Sequence, residues 1–367
     1  MASKAFLASY GLFFICFFVW GTNYILEAQM VPAVFVLGDS LVDVGNNNYL
    51  PLSLAKADFP HNGVDFPTHK PTGRFTNGKN AADFLAEKVG LPTSPPYLSL
   101  VSNSSKINNA SFLTGVSFAS GGAGIFDGTD ERLRQSIPLT KQVDYLLTVC
   151  EKLKQQRGST SAQNLLSKSL FVVVIGSNDV FGYSGSSDLR SKNTPQQYVD
   201  LMALKLKEQL KRIYNGGARK FVITGIGAIG CCPSERNKNK TEECNEETNR
   251  LSVKYNEGLT SMLQKWKSEL KGISYSYLDT YSILQNFVQK PQAYGFVDVK
   301  AACCGLGNLN AKFGCLPIST YCSNRKEHLF WDLYHPTEAA HRLIADNLFD
   351  GPSQFTFPLN VRHLVAV

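Results

Sequence analysis

Short apolar runs rich in β-branched residues alternate along this chain with amphipathic segments of helix length. The helical spacing of apolar residues is clearest at residues 139–150, 199–213 and 249–270. The strand-like runs are residues 31–37, 170–175, 221–224 and 273–278. Strands that alternate with crossover-length helices predict an α/β fold whose parallel sheet is covered on both faces.

The remaining segments complete this outline. Residues 79–89 and 336–349 have helical spacing, and residues 112–118 form a short candidate strand. Two long stretches, residues 46–75 and 282–326, are rich in loop-forming residues. Long loops on a rigid scaffold often carry binding groups, so we interpret these two as candidate walls of a substrate cleft.

The first 28 residues have the layout of a secretory signal peptide. Lys4 precedes an apolar run over residues 6–20, and small residues lead to Ala28. A membrane-spanning helix needs about 20 apolar residues, so this run is short for an uncleaved anchor, which is the alternative. We therefore expect cleavage near Ala28, secretion, and a mature chain of residues 29–367 that forms a single domain without stable membrane insertion.

The charge distribution argues against one class of partner. The net charge of +7 is spread along the chain rather than clustered among aromatic residues, so nucleic acid is not an expected partner. Weak attraction to an acidic polymer stays open. The sequence does not indicate an oligomeric state.

The cysteine pattern agrees with secretion. Of nine cysteines, Cys16 lies in the predicted signal, and an even number of eight remains, which predicts disulfides of open connectivity. Adjacent Cys-Cys pairs, rather than Cys-x-x-Cys steps, weigh against zinc. Asn103, Asn109 and Asn239 begin glycosylation sequons.

A nucleophile and its base are predicted from two separated blocks. Ser40, in Gly38-Asp39-Ser40-Leu41, follows the first strand-like run, although such a tetrapeptide is also an ordinary turn. His335 supplies a base that can take the serine proton. Asp332, three residues earlier, is placed to orient the imidazole. The alternatives are a structural histidine and a helix-capping aspartate, but Thr337 is nearer the helix start.

Two further blocks offer donors for an oxyanion. Gly122 provides an unobstructed backbone amide and Asn178 a side-chain amide, while the amide of Ser40 is the third candidate. A phosphate loop at Gly121-Gly122 lacks the required spacing, and Asn178-Asp179 has an ordinary turn as its alternative. The chain has no Gly-x-Ser-x-Gly elbow and no His-Glu-x-x-His motif.

Taken in order, these blocks resemble the plant secreted GDSL esterase/lipase family of the SGNH hydrolase superfamily. The similar segments are residues 35–47, 73–78, 115–124, 176–179 and 331–338, together with cysteines 303, 304, 315 and 322. The resemblance implies Ser40 as nucleophile, His335 as base, Asp332 as its partner, and Gly122 and Asn178 as oxyanion donors, with Gly121 as the neighbouring candidate. Leu37 and Ser117 depart from the family pattern, which usually has Phe and Asn there.

The resemblance also implies the fold and the reaction. We expect a three-layer α/β/α domain with a flavodoxin-like parallel sheet of about five strands. We expect hydrolysis of a lipid, cell-wall or metabolite ester through an acyl-enzyme on Ser40, with no metal or organic cofactor. An extracellular acyltransferase with the same triad is the alternative, and a non-catalytic wall-binding protein is a third. The sequence does not indicate the acyl chain or the alcohol.

Overall fold

A five-stranded sheet forms the centre of the computed structural model, which describes residues 29–102, 112–129 and 131–367. The sheet order is β1-β2-β3-β4-β9, in which β1 to β4 are parallel and β9 is antiparallel to β4. These strands are β1 (Val34–Gly38), β2 (Leu170–Val174), β3 (Lys220–Thr224), β4 (Ser274–Leu278) and β9 (Thr356–Pro358). The predicted α/β class is therefore confirmed, and the antiparallel edge strand is an addition.

The predicted strand at residues 112–118 is wrong as a regular strand. This segment runs beside β1 and joins it through three backbone hydrogen bonds, but it forms only an isolated bridge at Ser117. Gly115 interrupts the extended backbone with a φ of +106°, and a Cβ there would lie 1.9 Å from the carbonyl oxygen of Val34. If residues 112–118 are counted as an irregular edge strand, the second extended segment of the chain lies at the edge of the sheet next to β1. This is the flavodoxin-like strand order.

Helices cover both faces of the sheet. Side chains of each central strand alternate between the two cores, and Phe35 and Leu37 enter one core while Val34 and Val36 enter the other. The helices are α1 (Ala81–Lys88), α2 (Tyr97–Val101), α3 (Leu139–Arg157), α4 (Ser159–Lys168), α5 (Ser177–Gly185), α6 (Ser187–Lys192), α7 (Pro195–Asn215), α8 (Pro233–Asn237), α9 (Glu246–Glu269), α10 (Thr280–Gln289), α11 (Glu338–Asp350) and α12 (Val361–Ala366). Burial on both faces explains why β1 and β2 carry no polar side chain.

The stretch at residues 282–326 contains more regular structure than its composition indicates. It includes most of α10 and three short strands, β5 (Asp298–Ala302), β6 (Cys304–Gly305) and β7 (Thr320–Tyr321). The strand β8 (His328–Phe330) follows and pairs with β5. The disulfides Cys303–Cys322 and Cys304–Cys315 cross-link this region.

The eight cysteines in the described residues do not all pair. A third disulfide joins Cys231 to Cys244, which leaves Cys150 and Cys232 as buried thiols. Burial raises the pKa of both thiols to about 12. They therefore stay protonated near neutral pH and are poor nucleophiles.

Several predicted features lie outside the described residues. These are the signal peptide of residues 1–28 with Cys16, and the sequons at Asn103 and Asn109. The third sequon asparagine, Asn239, is exposed in a turn. Across residues 29–102, 112–129 and 131–367, no helix has both the length and the apolar composition needed to cross a membrane.

Candidate active site

Ser40 lies just beyond the carboxyl end of β1. The chain turns after Gly38, and the amide of Asp39 donates to the carbonyl of Val174 at the end of β2, at 3.0 Å. A Cβ on Gly38 would lie 2.4 Å from that same carbonyl oxygen, so only glycine permits this close approach. The turn leaves the Ser40 side chain partly exposed at the edge where ligands bind in open α/β sheets.

The structure joins Ser40, His335 and Asp332 in one chain of hydrogen bonds. Ser40 Oγ lies 2.8 Å from His335 Nε2. On the other side of the ring, His335 Nδ1 lies 2.7 and 2.8 Å from the two carboxylate oxygens of Asp332. This is the arrangement of a nucleophile, a base and an orienting acid. Thr337 caps α11, so Asp332 does not serve as that cap.

Asp332 is held as a carboxylate. Burial raises the pKa of its carboxyl, but the charge of His335 and several hydrogen bonds outweigh that effect, and the net pKa lies below the usual value. Two of these bonds come from the backbone amides of Tyr334 and His335, each 2.9 Å from Oδ1. The carboxylate is therefore fixed in both position and charge beside the imidazole.

The candidate oxyanion donors differ in whether their amides already have an acceptor. The amide of Gly121 donates to Asp43 at 3.0 Å, whereas the amides of Ser40 and Gly122 have no hydrogen-bond acceptor within the described residues. Asn178, in the first turn of α5, donates to the carbonyl of Ala123 at 2.9 Å. That bond uses one of its two amide hydrogens and fixes the side chain against the Gly122 segment. The geometry thus favours Gly122 over Gly121 as a free donor.

Gln142 supports the turn that carries Ser40 and was not predicted from the sequence. This fully buried side chain accepts from the amide of Gly38 and donates to its carbonyl, both at 2.8 Å, and also donates to Ile137 at 2.7 Å. It lies among the apolar residues of α3, between Leu139 and Val143. A lone amide on an apolar helix face was the signal that could have revealed it.

Buried polar residues also hold the Gly121-Gly122 segment. Asp43 accepts from Gly121, and Asn47 donates to the carbonyl of Gly121 at 2.9 Å. Asp179 accepts from the amides of Ile125 and Phe126 at 2.9 and 3.1 Å, so it orders this region rather than merely forming a turn. The hydroxyl of Ser117, one of the two departures from the family pattern, has no hydrogen-bond partner among the described residues.

Aromatic side chains pack against His335 and its neighbour Tyr334. The ring centroids of Phe75 and His335 lie 5.1 Å apart, and those of Phe181 and Tyr334 lie 5.3 Å apart.

No cluster of three or more His, Cys, Asp or Glu side chains suited to a metal ion occurs in the described part of the chain.

Residues 34–348 match the model of the GDSL-like lipase/acylhydrolase family. The chain belongs to this family. A GDSL esterase/lipase of Arabidopsis thaliana is 55% identical over 341 residues, covering 92% of this chain and 90% of the relative. Another from the same plant is 39% identical over 350 residues, covering 92% of each. The resemblance predicted from the blocks is confirmed, and membership of the GDSL family supports a carboxylic ester hydrolase.

Asp39, next to Ser40, is an unusual buried carboxyl. Burial raises its pKa to about 7, and its Oδ2 atom has no hydrogen-bond partner among the described residues. An ordinary carboxyl titrates near 3.8. The folded protein therefore keeps this proton up to about pH 7, while the unfolded chain loses it near pH 4. The contribution of Asp39 to stability is complete below pH 4 and is lost as the pH rises toward 7.

We therefore predict that Asp39→Asn removes this pH-dependent loss, because the amide stays neutral. The urea unfolding midpoint of the variant should rise relative to the native protein between pH 5 and pH 8. Asp188→Asn, at an exposed carboxyl with 66% of its side chain accessible, is the control and should show no such trend. A constant difference between Asp39→Asn and the native protein over this range would contradict the assignment.

Proposed function

We propose that this GDSL family member is a secreted serine esterase that hydrolyses carboxylic esters through an acyl-enzyme on Ser40. The chain of hydrogen bonds from Ser40 through His335 to Asp332 is the observation that supports the proposal. A serine hydroxyl needs a base within hydrogen-bond reach to become an effective nucleophile, and Nε2 of His335 is within that reach.

In the first half of the reaction, His335 Nε2 takes the proton of Ser40 as Oγ attacks the ester carbonyl. Asp332 stabilises the imidazolium that forms. The amides of Ser40 and Gly122 and the side chain of Asn178 donate to the oxyanion of the tetrahedral intermediate. The intermediate collapses, the alcohol leaves with the proton from His335, and the acyl group stays on Ser40.

In the second half, His335 takes a proton from water, and the resulting nucleophile attacks the acyl-enzyme. Collapse of this second intermediate returns the proton to Ser40 and releases the carboxylic acid. An alcohol in place of water would give acyl transfer, so products are to be analysed with and without added alcohol. A non-catalytic protein would turn over no ester in either case.

The orienting role of Asp332 predicts a large effect of Asp332→Asn. The amide would hold the wrong imidazole tautomer, with a loss of turnover of up to ~10⁴-fold in a triad of this kind. The matched control is Asp298→Asn, because Asp298 also accepts two backbone amides and lies 4.0 Å from a histidine, His328. That control should retain nearly full turnover of a soluble acetyl ester.

The base, His335, governs the pH profile of the proposed reaction. Hydrolysis should fall in acid, because imidazolium cannot accept the Ser40 proton, so activity should be higher at pH 8 than at pH 5. The lowered pKa of Asp332 keeps its carboxylate charged through this range. If Asp332→Asn leaves both turnover and the acidic fall unchanged, Asp332 is not the orienting acid.

Secretion forms the last part of the proposal. Residues 1–28 act as the signal, and residues 29–367 form the mature single domain. Three disulfides and the exposed sequon at Asn239 support an oxidising, glycosylating route. N-terminal sequencing of secreted protein should begin near residue 29, whereas an intact Met1 on membrane-bound protein would contradict cleavage.

A further inference from the structure

The aromatic ring of Phe75 packs against both the proposed base and the glycine segment. Its centroid lies 5.1 Å from that of the His335 ring, with 34° between the two ring planes. The same ring lies close to Gly121, because a Cβ built there would be 2.5 Å from Cζ and 2.8 Å from Cε2 of Phe75. The Phe75 side chain is buried, so the contact is made away from bulk water.

This contact explains why position 121 is a glycine. The backbone of Gly121 has no positive φ, in contrast to Gly122, whose φ is +81°. Glycine is therefore required at position 121 by the available space rather than by a left-handed conformation. Besides the ring of Phe75, the amide nitrogen of Asn47 would lie 2.8 Å from a Cβ at this position.

Polar contacts of the two neighbouring residues hold Phe75 in place. Arg74 forms a buried ion pair with Asp83 of α1, in which two nitrogens each lie 2.7 Å from a carboxylate oxygen. Thr76 donates to the carbonyl of Pro336 at 3.0 Å, and Pro336 immediately follows the proposed base. The ring is thus anchored from both sides along the chain.

We propose that Phe75 is a positioning residue, whose ring sets the spacing between the His335 imidazole and the Gly121-Gly122 segment. The inference rests on the proposed function, because it concerns the base and a candidate oxyanion donor of that reaction. Aromatic rings with centroids about 4.5–7 Å apart attract each other beyond the effect of burial. A misplacement of reacting groups by about 1 Å can cost roughly 100-fold in rate.

Two substitutions alter this contact from opposite sides. Phe75→Leu removes the ring but keeps a buried apolar side chain. Gly121→Ala adds a methyl group where the ring already lies. Phe287→Leu is the matched control, because Phe287 is also a buried phenylalanine, but its ring packs against Tyr294 and Phe296, at 4.7 and 5.4 Å.

The first measurement is kcat and KM for p-nitrophenyl acetate, with active sites counted by titration with a serine-directed phosphonate. Phe75→Leu should lower kcat about tenfold or more and keep KM within about twofold, because it disturbs the geometry of the reacting groups rather than ester binding. Phe287→Leu should keep both constants within about twofold. Circular dichroism and unfolding midpoints establish that each variant is folded, and Phe75→Met replaces Phe75→Leu if the latter does not fold.

The second measurement combines the two substitutions. Gly121→Ala in the native protein should lower kcat about tenfold or more, because the methyl group displaces the segment that carries a candidate oxyanion donor. In the Phe75→Leu background the same substitution should cost at least about threefold less, because the ring is absent. The relief is partial, since Asn47 still occupies part of the space.

A folded Phe75→Leu with kcat within about twofold of the native value would overturn the proposal, as would a loss that lies only in KM. An equal loss for Gly121→Ala in both backgrounds would also overturn it. Failure of the proposed function has a different signature. In that case the native protein would not hydrolyse the acetyl ester, or its hydrolysis would survive Ser40→Ala.

Discussion

Parallel pairing of β1 with β2 determines where the reacting groups lie. Gly38 stands opposite Val174 in this pair, so the two strands end together and the turns that follow them meet at one edge. Ser40 lies in the turn after β1, and Asn178 lies at the start of the helix that follows β2. The amide of Asp39 fixes the two turns to each other through the carbonyl of Val174. The proposed nucleophile and a candidate oxyanion donor are therefore positioned by the sheet register itself.

One local and several long-range hydrogen bonds hold the remaining groups at that edge. The carbonyl of His335 accepts from the amide of Trp331 at 2.7 Å, and Thr76 donates to the carbonyl of Pro336 at 3.0 Å. Gln142 accepts a hydrogen bond from the amide of Gly38 and donates one to its carbonyl. Because an unpaired buried polar group costs about 1–3 kcal/mol, these contacts favour one arrangement of the site over looser ones.

The sequence predicted the parts of this structure that depend on local patterns. The helices α3, α7 and α9 have strong helical periodicity, the central strands are short runs rich in apolar residues, and the site residues occur directly after strands or before a helix. Asp332 and His335 are three residues apart, so their contact is local. These features need only neighbouring residues to be recognised.

The parts that depend on distant contacts were missed. Gln142 acts through a residue 104 positions away, and the pairing of cysteines also depends on tertiary structure. The three-residue strand β9 is too short for a period to be visible. The apolar cavity between the sheet and the helices α1, α10 and α11 is lined by residues from several strands and helices, and no single segment indicates it.

The central claim is that Ser40 becomes acylated with His335 as its base. Rapid quenching of the purified protein with an ester, followed by peptide mass spectrometry, tests it most directly. We predict one acyl group per chain on the peptide containing Ser40, its absence in Ser40→Ala, and much slower formation in His335→Ala. Ester hydrolysis that proceeds with the acyl group on another residue, or at an undiminished rate in Ser40→Ala, would contradict the account.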